Sequence, residues 1–169
     1  GQIVSFWLGQ CGVQIANSCW ELLTLEHGLL TDGTSSEINS DKDMSFENFF
    51  LQTGNGKFTP RTLLVDLEPT VIGKGITKIN ENSVKNEIKL GKYRNLFNPD
   101  SLINSYEDAA NNFARGFYSI GKKALQKVVY MTRKTAENCD NIHAFLINHS
   151  FGGGTGSGFT ASTIKFILH

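Results

Sequence analysis

The chain alternates between short, wholly apolar runs and stretches whose apolar residues recur every three or four positions. Ile3-Val4-Ser5-Phe6-Trp7-Leu8 is β-branched and aromatic and stops at Gly9, which predicts a buried strand. From Gln10 the period changes. Val13, Ala16, Trp20 and Leu23 fall at helical spacing and predict a helix that ends near His27-Gly28. Strand, glycine turn and helix open an α/β unit. Residues 29–45 are polar and turn-rich and predict an exposed loop, after which Phe46, Phe49 and Phe50 suggest a short helical turn docked on the core. A glycine-rich loop, Thr53-Gly54-Asn55-Gly56, leads to a second buried strand over Thr62–Leu67, closing on Glu68-Pro69.

The second half carries one irregular stretch and three further elements. Residues 71–92 hold five lysines and two glutamates, broken by Gly73, Gly75 and Asn80-Glu81-Asn82, and read as an exposed insertion. A long helix is expected from Glu107 to about Glu137. Its apolar stripe is Phe113, Phe117, Ile120, Ala124, Val128 and Met131, with Asn104 or Ser105 as N-cap. Gly116 and Gly121 inside it each cost about 1 kcal/mol against alanine, so close packing or a bend is expected there. Ala144–Asn148 predicts a third buried strand, and Phe159–Leu168 a final helix with Ile164, Ile167 and Leu168 on its apolar side. No internal repeat and no second domain are visible.

Composition narrows the classes. The 169 residues carry 16 Lys+Arg against 16 Asp+Glu, so the formal net charge is zero. That balance gives no whole-chain electrostatic case for nucleic acid or an anionic membrane as partner. Hydrophobic residues make up 40%, a globular figure, and no apolar run approaches the roughly 20 residues a membrane helix needs. The first residues lack the basic segment and small-residue cleavage site of a signal peptide. Cys11, Cys19 and Cys139 form no CxxC and cannot all pair, which points to free thiols in a reducing compartment. His27, His143, His149 and His169 are scattered, with no zinc-ligand spacing among them or with the cysteines.

Five of the 17 glycines sit between Gly152 and Gly158, between a strand and a helix. Glycine lets backbone approach a ligand closely, and free N–H groups at a helix N-terminus bind anions. Ser150, Thr155 and Ser157 add hydroxyls, so the natural guest is a di- or triphosphate. Neither familiar phosphate loop applies. A P-loop needs Gly-Lys-Ser/Thr, and G-x-G-x-x-G meets Ser157 or Phe159 at its third glycine. Gly9-Gln10-Cys11-Gly12 also opens a helix after a strand, with Gln10 and Gln14 one turn apart. Asp66 and Glu68 follow the second strand, and acidic residues beside a polyphosphate usually mean Mg²⁺. Asp108-Ala109-Ala110-Asn111 opens the long helix, so three helix N-termini are expected at one crevice, where open α/β sheets bind ligands. A serine-hydrolase reading of adjacent His149 and Ser150 lacks G-x-S-x-G.

At these residues the chain resembles tubulin. GQCGVQIANSCWELLTLEHG (9–28), PRTLLVDLEPTV (60–71), EDAANNFARGFYSIGK (107–122) and HSFGGGTGSGFT (149–160) carry the resemblance over nearly the whole length. GGGTGSG is the signature that tubulins share with the bacterial FtsZ relatives. LEHG (25–28), FFLQTG (49–54), LEPTV (67–71) and EDAANN (107–112) are similar to the α type, although Cys11 stands where α-tubulins usually have alanine. The resemblance implies a Rossmann-like α/β fold, a parallel sheet flanked by helices, that holds GTP and Mg²⁺. Gly9, Gln10, Cys11 and Gln14 match the first phosphate and base-side loop. Asp66 and Glu68 match the acidic loop, with Glu68 at the metal. Asp108, Ala109, Ala110 and Asn111 match the third loop. Ser150, Gly152, Gly153, Gly154, Thr155 and Gly156 match the glycine loop.

The resemblance also implies a structural subunit of cytoplasmic microtubules. Such a subunit pairs with β-tubulin, makes protofilament and lateral contacts, and meets associated proteins and motors. Its α-type site holds GTP without hydrolysing it. Residues 84–97 look like the segment that normally follows LEPT directly, so 71–83 are expected to be an insertion. Residues 1–169 correspond to the N-terminal part of the GTP-binding domain, without the family's remaining domains. The alternative expectation is a truncated or degenerate chain acting as a non-polymerising binding module. SDK (40–42) makes Lys42 a candidate for acetylation.

Overall fold

The computed structural model describes residues 1–35, 46–68, 92–93 and 95–168. The expected insertion at 71–83, Lys42 and most of the 29–45 loop lie outside them. The described residues form a four-stranded parallel sheet, in the order β5-β4-β1-β6, and a small hairpin, β2-β3. β1 (Gln2–Leu8) leads directly into α1 (Gly9–Glu26). The short helix α2 (Phe46–Phe49) precedes the hairpin strands β2 (Phe50–Gln52) and β3 (Phe58–Pro60), which the Thr53–Gly56 turn joins. β4 (Thr62–Asp66) and β5 (Leu102–Asn104) pair in parallel, as do β1 and β6 (Ile142–His149). α3 (Ile120–Glu137) precedes β6, and α4 (Thr160–Ile167) follows the glycine loop.

Alternation along the strands divides the core into two layers. Val4, Phe6 and Leu8 of β1 join Leu63 and Val65 of β4 on the face that α3 covers through Ile120, Ala124, Val128 and Met131. Trp7, Leu64 and Leu102 face the other way, onto Val13, Ala16 and Trp20 of α1 and onto Phe50 and Phe97. Both central strands are buried on both faces, as in other parallel sheets with helices on each side. This is the Rossmann-like α/β arrangement that the resemblance implies.

Four expectations need correction. The long helix does not begin at Glu107, and Asn104 and Ser105 do not cap it. Asn104 ends β5, a strand too short to leave a periodic signal, and helical structure starts only at Phe113. Residues 115–119 then form a π-helical turn before α3, which rotates Phe113 out of the apolar stripe to 49% exposure. β6 is not buried. It is one of the two edge strands of the sheet among the described residues, with Phe145 and Leu146 exposed. The buried side of α4 is Thr160, Ser162 and Thr163, while Leu168 is 76% exposed. Thr163 satisfies its hydroxyl by donating to the Phe159 carbonyl at 3.0 Å, which lets a polar side chain sit inside.

Candidate phosphate-binding edge

The candidate site lies at the C-terminal edge of the sheet, where β1, β4, β5 and β6 all deliver their following loops. The first loop is the start of α1. Gly9 adopts φ +76°, and a Cβ there would lie 3.2 Å from the Gly156 amide nitrogen, so the first and glycine loops touch. The first amides of a helix have no intrahelical acceptor. Here Leu8 supplies no side-chain cap, and the first turn carries no acidic residue. Gln10, Cys11 and Gln14 are exposed beside these amides, and the Cys11 thiol is free.

The glycine loop continues into a π-helical turn over Gly154–Phe159 and then α4. Its glycines answer to close backbone packing. A Cβ on Gly154 would meet the Ala109 Cβ at 2.4 Å and the Asn112 main chain at 3.0 Å. A Cβ on Gly116 would lie 2.1 Å from the Gly154 carbonyl oxygen, which is the close packing expected at that position. Gly152 is different: a Cβ there would meet nothing within 4 Å. The tip is therefore open to a guest while its base is clamped.

Asp108–Asn111 reach the same place by another route than expected. They lie in a loop ahead of the helix, not in its first turn. Ala110 (φ 49°) and Asn111 (φ 55°) are both left-handed, a conformation strained for alanine. Ala109 is fully buried under Gly154. Arg115 ties the loop to the helix start, pairing with Glu107 at 2.7 Å. His149 supports the glycine loop from beneath. Its Nδ1 faces the carbonyl oxygens of Ser150 (2.9 Å) and Gly156 (2.8 Å), so that nitrogen carries the proton and donates. Ser150 Oγ donates to the Gly152 carbonyl at 3.0 Å, so the Nδ1 side of the ring has no part in activating Ser150 as a nucleophile.

The acidic loop completes the edge. Asp66 is buried, Glu68 half-buried and Asp108 exposed. Burial pushes the Asp66 carboxyl up to about 6, and the neighbouring Glu68 and Asp108 carboxylates push the same way, against hydrogen bonds from the Glu68 and Leu67 amides. β5 pins this loop from the side. The Ser105 amide donates to the Asp66 carbonyl at 3.1 Å, and Asn104 Nδ2 donates to the Glu68 carbonyl at 3.2 Å. Asn104 is absent from the sequence-derived set, because only strand pairing brings it here.

The residues present fit a polyphosphate with a divalent cation. Uncapped amides and an open glycine tip offer donors, and a desolvated carboxylate beside two others has no cationic partner among the described residues. Mg²⁺ usually takes one or two carboxylates and completes its shell with water and phosphate oxygens, and Glu68 with Asp66 beside it offers such carboxylates. Among the described residues no helix is long and apolar enough to cross a membrane.

Known proteins are similar to this chain over most of its length. Residues 2–168 match the family described as "Tubulin/FtsZ family, GTPase domain". The chain is 48% identical over 162 residues to the tubulin alpha-B chain of Neurospora crassa, covering 95% of this chain and 33% of that protein. It is 46% identical over 160 residues to the tubulin alpha-2 chain of Caenorhabditis elegans, with the same coverage. The chain thus spans about a third of the length of the curated relatives it matches.

Proposed function

The chain belongs to the tubulin/FtsZ family of GTPase domains, and on that premise we propose that it binds GTP with Mg²⁺ as the N-terminal nucleotide-binding part of an α-type tubulin subunit. The observation that carries this reading is the mutual docking of three loops at one sheet edge: Gly9 against Gly156, and Ala109 beneath Gly154. The phosphates lie on the first amides of α1 (Gly9, Gln10, Cys11) and on Gly152, Gly153, Gly154 and Gly156, with Ser150 and Thr155 adding hydroxyls. Gln14 offers its amide on the exposed side of α1, and Asp108–Asn111 close the third side. Glu68 holds the cation, directly or through water, with Asp66 behind it. When bound, Mg²⁺ neutralises phosphate charge.

We propose further that the whole subunit pairs with β-tubulin and polymerises into protofilaments of cytoplasmic microtubules, where associated proteins and motors meet it; the similarity to tubulin alpha chains supports this reading. Residues 71–83 are read as an insertion following the acidic loop. Equilibrium GTP binding, with Mg²⁺ and with EDTA, tests the site. Glu68→Ala should weaken Mg²⁺-dependent retention more than binding in EDTA. Failure of the unsubstituted chain to bind GTP would refute the reading, and equal metal dependence in both chains would remove Glu68 from its role.

A further inference from the structure

Asp66 and Asn104 are direct partners across the parallel β4–β5 pair. Their side chains therefore leave the sheet on the same face, from strands about 4.8 Å apart. That is the α1 face, since Leu64 and Leu102, two residues earlier on each strand, pack there. Asn104 Nδ2 donates to the Glu68 carbonyl. A carbonyl only accepts, so the NH₂ end of the amide must point at it, and this fixes the other end. Asn104 Oδ1 is then an acceptor, buried and without a partner among the described residues. Leaving a buried acceptor unpaired is costly. The side chains gathered at this edge are the carboxyl groups of Asp66, Glu68 and Asp108, which as carboxylates accept and do not donate. No donor among the described residues meets this oxygen.

We propose that Asn104 is a further residue of the cation-binding edge: its amide NH₂ holds the Glu68 main chain in place, and its Oδ1 accepts a hydrogen bond from a water in the divalent cation's shell. A metal-bound water would supply a donor to the orphaned oxygen, and its cation would supply positive charge to the neighbouring carboxylates. Outer-shell partners of this kind are worth roughly 10–100-fold in metal affinity. The inference rests on the reading of this edge as a nucleotide and cation site.

The test uses the full chain loaded with GTP, with Mn²⁺ as a paramagnetic probe titrated in place of Mg²⁺. Asn104→Leu, close to isosteric and without polar atoms, should weaken Mn²⁺ binding about tenfold and leave GTP affinity in EDTA unchanged. Unchanged Mn²⁺ affinity, with or without a lowered melting temperature, overturns the proposal and reduces Asn104 to a structural clamp with an ordinary water on Oδ1. A second measurement needs no variant. The Asn104 side-chain amide resonances of the GTP-loaded native chain should shift on adding Mg²⁺, and resonances that stay put overturn the proposal. Absence of GTP binding by the native chain in EDTA would instead overturn the nucleotide reading and this inference with it.

Discussion

Two glycine-rich loops differ in what their glycines face. Thr53–Gly56 turns the β2-β3 hairpin, closed by the Thr53 amide to the Lys57 carbonyl at 2.7 Å. A Cβ on Gly54 or Gly56 would meet nothing within 4 Å. In Gly152–Gly158, Cβ atoms on Gly154, Gly156 and Gly158 would each fall within 2.4 Å of an atom of another segment or of Ser150. Both loops look alike in composition. One uses glycine for a turn, the other to let backbone from three parts of the chain come together. Glycine content is thus a weak signal, and glycine between a strand end and a helix start is a strong one.

The contrast can be broken by substitution. Gly154→Ala should cost most, about 3 kcal/mol at the upper end of overpacking, because its Cβ meets Ala109 and the Asn112 main chain. Thermal melts and GTP binding should both register it. A fully stable, nucleotide-binding Gly154→Ala chain would mean the loops do not dock as described.

The acidic loop gives the next largest effect, on the order of 2 kcal/mol. Asp66 is raised to about 6 in the folded chain, above its unfolded value of about 3.9. Its contribution to stability is therefore fully present below about pH 4 and lost as pH rises through about 6. The nucleotide-free chain should gain stability from this group between pH 7 and 5, and Asp66→Asn should remove that gain. Parallel pH profiles of the two chains would contradict the buried, crowded environment.

Gly56→Ala should cost about 1 kcal/mol, from its φ of +75° alone, and leave GTP affinity untouched. Gly54→Ala should fall within about 0.5 kcal/mol of the native chain. If either substitution weakened GTP binding, the hairpin loop would have a part in the site that the contrast denies it.

What could be read from sequence follows from range. β1, α1 and β4 were legible because each carries its own period, and the glycine loop because its composition is local. β5 was not, since Leu102–Asn104 is extended only through pairing with β4, far away in sequence. The same distance hid Asn104 from the site. The Asp108–Asn111 loop misled for the opposite reason. Alanine favours helix, yet Ala110 is held left-handed where Ala109 and Asn112 pack against Gly154. The π-helical turn at Arg115–Ser119 shifts the stripe of the following helix, which no fixed period anticipates. The exposure of β6 depends on its place at the sheet edge, and apolar composition alone does not encode that.

The central claim is that three loops form one nucleotide site and the hairpin loop forms none. Backbone amide shifts followed during a GTP titration of the full chain test it directly. Amides of Gly9–Cys11, Asp108–Asn111 and Gly152–Gly156 should move together along one binding curve, with Thr53–Gly56 unmoved. Shifts confined to one loop, or separate curves for the three, would contradict the account.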